Sequence, residues 1–530
     1  MKSKWTKRMI AALLACIMIV SLCAGCNTEK PVETKPNDKP VETKPGETKP
    51  AETEEKLDRV DLVFYLAGNA PNDMQKVEDK INEILLEKIN TTISFQHLTW
   101  TEGSNKYNLI LSSGEECDLI YTATWMQYQR YATEGAFLPL DELLDNELAD
   151  VKAMGSEDMW NQMRVDGSVY SVPQFAGEYN LIGICYRKDL ADKLNLPAPD
   201  SVANLEAYID GILANDPTQK LFDFHASTDS SQYNFAAQSL LCLDWTFLNQ
   251  PQYGLVFDYN NPSVLMNYWE SDQFREEMKT MKRWAEKGYW PKNALSINET
   301  SEVTDGTGVV KMCNPTQYTQ YVDTIAQDHP DWELDYIPLA YKTGFAYANH
   351  PAGNGTAIPL HSKNPERAAM ALELLMTDQE LNRLFLYGIE GEHYTIDANG
   401  YYVNGPANSD YVFEGSNAWN LRNSEYGLIR EVDALKYDIF DKLHEIALKT
   451  NTPDIDIWAG FAEDTTNYSA ERAAVISVMV QYMNPIAAGM MDDVDAAIDE
   501  MLAKLEEAGL DKIQEEYTKQ WVAYCEANGY

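Results

Sequence analysis

The chain has 530 residues, and 83 acidic against 42 basic side chains give a formal net charge of −41. A surface this acidic excludes nucleic acid as a partner and direct adhesion to anionic lipid, because phosphate is repelled. The length exceeds what one hydrophobic core supports, so two lobes or more are expected.

Lys2, Lys4, Lys7 and Arg8 precede an apolar run from Met9 to Leu22, with Ala24 and Gly25 after it. That order predicts a secretory signal peptide over residues 1–25, since the run is short for a membrane span of about 20 residues. Leu22-Cys23-Ala24-Gly25-Cys26 resembles a lipoprotein signal, although Cys23 stands where an aliphatic residue is usual. The resemblance implies that Cys26 is lipidated and becomes the first mature residue; an ordinary cleaved signal is the alternative. Residues 26–56 repeat Lys-Pro-Val-Glu-Thr and its Gly and Ala variants. Such a stretch cannot bury enough apolar surface to offset its ordering entropy, and proline keeps it extended, so it reads as a tether. These features imply a domain held by lipid on the outer face of the cell membrane.

The next segment alternates strand and helix patterns. Val60 to Leu66 reads as a buried strand, and Met74, Val77, Ile81, Ile84 and Leu85 recur at helical spacing. Thr91 to Leu98 is a second strand, Tyr107 to Leu111 lies in a short helix, and Cys117 to Tyr121 is a third strand. The β-α-β-α-β order predicts a parallel sheet with helices on both faces, in an α/β fold. Ligands of such sheets bind beyond the carboxyl ends of the strands, which puts Thr122, Thr124 and Trp125 at a candidate rim. Gly135 to Asp141 turns into a helix, and Val165 to Pro173 is a hairpin with Asp166-Gly167 as its turn. Leu181 to Tyr186 is again a buried strand, and helices are expected near Leu205–Leu213 and Phe274–Lys287. Asn364-Pro365 starts a helix with Ala368, Ala369, Leu372, Leu375 and Met376 on one face. The C-terminal part reads as helices over Ala473–Met483, Val494–Leu505 and Asp511–Cys525.

Signatures of catalysis are mostly missing. The sequence has no HExxH, GxSxG, P-loop or GxGxxG, and its seven histidines show no metal-ligand spacing. No cofactor and no metal are expected. Asp454 and Asp456 lack the glycine and closing glutamate of a calcium loop. Outside the signal and Cys26, Cys117, Cys185, Cys242, Cys313 and Cys525 are far apart and odd in number, which fits small core residues better than a disulfide framework. Glu390 and Glu392 are the best pair for glycoside hydrolysis, but spacing alone does not separate catalysis from hydrogen bonding to a hydroxyl-rich ligand. Aromatic residues make up 11% of the chain, and exposed rings suit the C–H faces of sugars or the charge of amines.

Asp118-Leu119-Ile120-Tyr121 through Gly135-Ala136-Phe137-Leu138-Pro139-Leu140-Asp141, and then Val165-Asp166-Gly167 with Val172-Pro173, resemble extracellular solute-binding proteins of the maltose-binding type. Ser362-Lys363-Asn364-Pro365-Glu366-Arg367 is similar to a helix start of that family. Tyr387-Gly388-Ile389-Glu390-Gly391-Glu392-His393-Tyr394, Gly460-Phe461 and Ala508 to Ile513 resemble a lipoprotein subgroup with a distinctive C-terminal domain. The resemblance implies two α/β lobes of the type II periplasmic-binding-protein fold, with ligand held between them. It places 57–173 with 344–394 in the first lobe, and 174–343 with 395–530 in the second. The hinge would include Gln174 to Tyr179 and the Pro351 to Thr356 turn. The implied role is delivery of a small solute, most often a sugar or oligosaccharide, to the permease of an ABC importer, as a monomer. A peptide or cationic amine ligand, and a surface glycosidase, remain as alternatives. Candidate ligand contacts are Trp125 as a stacking face, Glu178 and Tyr179 at the hinge, Asn314 and Tyr318 after the buried run Val309–Cys313, Asn354 at the other crossing, and His393 and Trp458. Each has a structural alternative: a capping Asn, a core aromatic ring, or a histidine satisfied by backbone.

Overall fold

The computed structural model describes residues 57–99, 103–179, 181–221, 253–258, 260–296, 302–449 and 456–530. The signal, Cys26, the tether and Cys242 lie outside the described residues.

Val60–Ala67 (β1) is followed by Met74–Ile89 (α1), Thr91–Leu98 (β2), Gly103–Ser113 (α2) and Leu119–Thr122 (β3). α1 buries Met74, Val77, Ile81, Leu85 and Ile89, one stripe at three- and four-residue spacing, and ends at Asn90 in the left-handed region. β1 pairs in parallel with β2 and with β3. The Asp166-Gly167 turn has positive φ at both residues, the geometry of a tight hairpin between Arg164–Val165 and Ser168–Val169. Ser171–Pro173 (β4) then leads out of this lobe.

The second lobe is built around Gly183–Arg187 (β5), Val202–Asn215 (α3), Asp272–Glu286 (α4), Val310–Cys313 (β6), Pro315–Asp328 (α5) and Leu334–Pro338 (β7). β5 is the central strand, antiparallel to β6 and β7. Its side chains feed two cores: Ile184 and Tyr186 enter one with α3 and α4, and Cys185 enters another with Cys313, Tyr318 and Tyr336. A strand covered on both faces reads as a continuous apolar run.

The chain returns through Gly355–Ala357 (β8), Pro365–Thr377 (α6) and Gln379–Tyr387 (α7). β8 inserts between β3 and β4, giving the order β2-β1-β3-β8-β4. It is antiparallel to both neighbours, so the sheet is mixed, while β1, β2 and β3 are parallel as their β-α-β-α-β order implied. The reason is connectivity: β8 starts at Gly355 beside Thr122 and Pro173, the residues where β3 and β4 finish, and so runs back against them. Gly355 allows the insertion, since a Cβ there would sit 2.7 Å from the Val172 carbonyl oxygen.

The lobe boundary lies later in the chain than the sequence implies. Tyr402, Tyr411, Ala418, Leu421 and Leu428 pack in the first lobe's core with Tyr387 and Tyr394, so residues 395–428 are not part of the second lobe. Tyr394 and Tyr402 stack at 5.4 Å on adjacent strands of a hairpin, which carries the chain back over the first core. At the other boundary, Ala346 belongs to a second-lobe core and Ala352 to the first.

After its last crossing the chain forms Asp433–Ala447 (α8), Ser469–Val478 (α9), Val494–Glu507 (α10) and Leu510–Asn528 (α11). α11 buries Leu510, Ile513, Tyr517, Trp521 and Cys525 against the second lobe, and Trp521 stacks on Phe257 at 4.8 Å. Cys117, Cys185, Cys313 and Cys525 are buried and unpaired with one another by disulfide. Among the described residues no helix is long and apolar enough to cross a membrane.

Candidate functional site

Among the described residues the chain passes between lobes three times: between Val172 and Ile184, between Ala346 and Ala352, and between Leu428 and Ile439. Backbone hydrogen bonds tie the first passage to the second and to the first-lobe segments that flank the second and third. Gln174 N donates to Asn354 O at 3.0 Å, Phe175 N to Arg422 O at 2.8 Å, and Asn349 N to Glu178 O at 2.9 Å. Side chains then fill the base. Arg422 Nη1 donates to Glu178 Oε1 at 2.6 Å, and Gln174 Nε2 to Glu178 Oε2 at 3.3 Å. Arg422 Nε lies 3.2 Å from Glu414 Oε2, an ion-pair distance without hydrogen-bond alignment. Burial opposes the charge of Arg422, but Glu414 and Glu178 more than offset it and hold its pKa above the ordinary value. Tyr121 donates its hydroxyl to Asn354 Oδ1, and Asn420 Nδ2 donates to Thr356 Oγ1 at 2.7 Å.

Two aromatic walls flank this base. On the first lobe Trp125 follows β3, its ring 6.0 Å from Tyr121, which also packs with Ala67, Met126 and Trp419. On the second lobe Tyr179 bonds His444 Nδ1 through its hydroxyl at 2.7 Å and lies 6.2 Å from Phe440. Tyr437 stands edge-on to Phe440, and Tyr341 carries Lys442 over its ring. Burial and the charges of Glu414 and Asp433 raise the pKa of Tyr437, with Glu178 and Arg422 also within electrostatic reach, which places this ring beside the base. The turn Thr124–Met126 also lies against the turn Trp458–Gly460 of the second lobe.

A model of the bacterial extracellular solute-binding protein family matches residues 80–387, more than half of the chain. The chain belongs to that family. A domain of unknown function, DUF3502, matches residues 457–526. A carbohydrate ABC transporter substrate-binding protein of Streptococcus pneumoniae serotype 4 is 24% identical over 474 residues, covering 88% of this chain and 91% of that protein. Among solved structures, the N-glycan transport solute binding protein of Streptococcus pneumoniae in complex with Man1GlcNAc matches with a TM-score of 0.66 at 21% identity, over 88% of this chain and 100% of that one. An alginate-binding protein, AlgQ2, matches with a TM-score of 0.61 at 17% identity, over 88% and 100%. At these identities the structural likeness establishes the fold, the two-lobe type II arrangement with a helical C-terminal region.

In this solute-binding protein Trp125, Glu178, Tyr179, Asn354 and Trp458 gather at the hinge and on the turns beside it. The side chains of three other candidates are engaged within their own lobes, as a cap, a core ring and a buried imidazole. Asn314 caps α5: its Oδ1 accepts from Gln317 N at 2.9 Å, and Gln317 Oε1 accepts from Asn314 N at 3.1 Å. Tyr318 is buried in the second lobe, stacked on Tyr336 at 5.1 Å. His393 is fully buried in the first lobe, where Nδ1 accepts from Ile389 N at 2.8 Å and Nε2 lies 3.0 Å from Asp73 Oδ2. Glu392 pairs at the first lobe's surface with Lys76. Sequence reading missed Glu414, Trp419, Arg422 and Tyr437. Glu414, Trp419 and Arg422 lie in the first-lobe segment that precedes the third crossing, where no local periodicity marks the approach to a passage, and Tyr437 lies on α8 within it. A cavity of about 390 Å³ adjoins the hinge, lined by Gln174–Glu178, Ala348–Pro351, Asn423–Glu425, Met154 and Met159.

Proposed function

We propose that this protein is the receptor of an ABC importer, captures an oligosaccharide between its lobes, and performs no catalysis. The reading is carried by one observation: two aromatic walls on different lobes face a hinge whose polar side chains are largely occupied with one another. Rings offer sugar C–H faces a stacking surface, while binding to both walls at once stabilises the closed arrangement. The names of the relatives support a saccharide ligand, since one is a carbohydrate transporter component and another binds an N-glycan fragment. The receptor acts as a monomer on the outer face of the membrane, held by a lipid on Cys26 and the tether. Cys26→Ser would then release the protein into the medium, and retention of that variant on the cells would refute the anchor.

The test of ligand class is a thermal-shift screen of the full chain with mannose- and N-acetylglucosamine-containing oligosaccharides, peptides and polyamines. A ligand at about 100 times its dissociation constant adds roughly 2.7 kcal/mol, a clear upward shift. Shifts with polyamines alone would instead support a cationic ligand, a reading favoured by the net charge of −41. Release of labelled sugar from a glycan would overturn the non-catalytic assignment.

A further inference from the structure

The C-terminal module has no assigned role, yet part of it lies against the first lobe. Its turn Trp458–Gly460 is held rigidly from behind by α11. Tyr524 donates its hydroxyl to Ile457 O at 2.8 Å, and Trp458 Nε1 donates to the Tyr517 hydroxyl at 3.2 Å. Ala459 N donates to Asp456 Oδ1 at 3.2 Å, and Asp456 N donates to Ala348 O, on the second crossing, at 3.1 Å. Ile457 is wholly buried in the second-lobe core. From this fixed position the Ala459 carbonyl accepts a hydrogen bond from Gln129 Nε2. Gln129 lies on the short helix Tyr128–Thr133 directly after the Trp125 turn, and is itself buried.

We propose that the C-terminal module is the second lobe's jaw: it sets Trp458 opposite the Trp125 turn, and the Gln129–Ala459 hydrogen bond fixes how often the two lobes meet. This rests on the reading of the cleft as the ligand site. Both partners of the bond are backed by rigid elements, so it forms only in a narrow range of lobe orientations. A buried amide without a partner is costly, which makes the bond sensitive to small rotations. Gln129 is therefore a positioning residue: it acts on the ligand through the placement of Trp458.

The experiment measures lobe separation in the full chain by pulsed electron–electron spin resonance, with spin labels at Glu87→Cys on α1 and Glu286→Cys on α4, both exposed. Distances are recorded without ligand and with Man1GlcNAc in excess. Gln129→Ala should lower the ratio of the short-distance to the long-distance population at least threefold in one or both conditions. Gly460→Ala should act alike from the other lobe, since a Cβ there would meet the Tyr524 hydroxyl at 2.4 Å and push the turn off its support. Both variants should keep the wild-type circular dichroism spectrum. Distance distributions unchanged in either folded variant would overturn the jaw. Failure of Man1GlcNAc and every other saccharide to bind the wild-type chain would overturn the ligand reading instead, while the ligand-free distances still decide the jaw.

Discussion

At the hinge, Arg422, Glu178 and Gln174 are each less than one-tenth exposed, whereas close by Trp125 keeps 53% of its surface in solvent and Tyr437 keeps 42%. The buried groups are ionic or amide and bind one another; the exposed ones are rings that gain little from folding by standing in water. This difference separates two tasks. Paired charges hold the first passage against the first-lobe segment that leads to the third, where breaking a pair is costly. Exposed rings beside a cleft contribute little to stability and leave apolar surface open to a ligand. Substitutions at the base should therefore act on stability, and substitutions on the walls should act on binding.

The largest effect should come from Arg422→Met. It leaves Glu178 and Glu414 facing each other in a buried site without their cation, and should cost about 3–5 kcal/mol in urea denaturation. Adding Glu178→Gln and Glu414→Gln should restore much of the loss, because the uncompensated charges are then gone. A loss below about 1 kcal/mol for the single change would place these carboxylates in solvent contact.

His350, on the second crossing, comes next. Its Nδ1 accepts from Ala352 N at 3.1 Å, and burial pushes its pKa from 6.5 down to about 4. Below pH 6.5 the unfolded chain takes up this proton before the folded one does. The stabilisation is thus complete above pH 6.5 and is lost as pH falls toward 4, by about 3 kcal/mol in all. His97 shifts in the same direction, also through burial, but it is partly exposed and contributes less. His350→Gln should flatten the slope of unfolding free energy between pH 6.5 and 4 relative to wild type. An unaltered slope would mean that the imidazole is hydrated in the folded protein.

On the wall, Trp125→Ala should weaken oligosaccharide binding about tenfold, roughly 1.4 kcal/mol, by calorimetric titration. Its unfolding free energy should stay within about 0.5 kcal/mol of wild type. A large loss of stability with unchanged affinity would reverse the roles assigned to base and wall.

How much of this was legible in the sequence follows from the range of the interactions. β2 spans Thr91–Leu98 as the β-branched run implied, and α10 and α11 follow their apolar periodicity, because neighbours along the chain carry those signals. The hinge base is non-local: Glu178 meets Arg422 across 244 positions. Glu178 and Asn354 were reachable through the family resemblance, whose turns flank them. Arg422 and Glu414 were not, because they lie in a stretch of 3-10 turns with no regular pattern, ahead of the third crossing. The aromatic run Tyr394, Tyr402, Tyr411 carried no mark of which core it enters, and so the lobe boundary was misplaced.

Asn314 supplies the smallest effect and the sharpest division between the two tasks. It stands after a buried strand, as Trp125 does, and the sequence alone gives both the same standing. In the structure, however, the Asn314 side chain and that of Gln317 satisfy each other's backbone amides at the start of α5. A capping side chain replaced by Ala costs about 1 kcal/mol of stability. Asn314→Ala should thus lower the unfolding free energy by that amount and leave oligosaccharide affinity unchanged. Asn314→Ser, which can still accept from the third helical amide, should recover most of the loss. If affinity fell in the Ala variant and remained low in the Ser variant, the amide itself would be touching ligand, and α5 would have to be counted as part of the second wall.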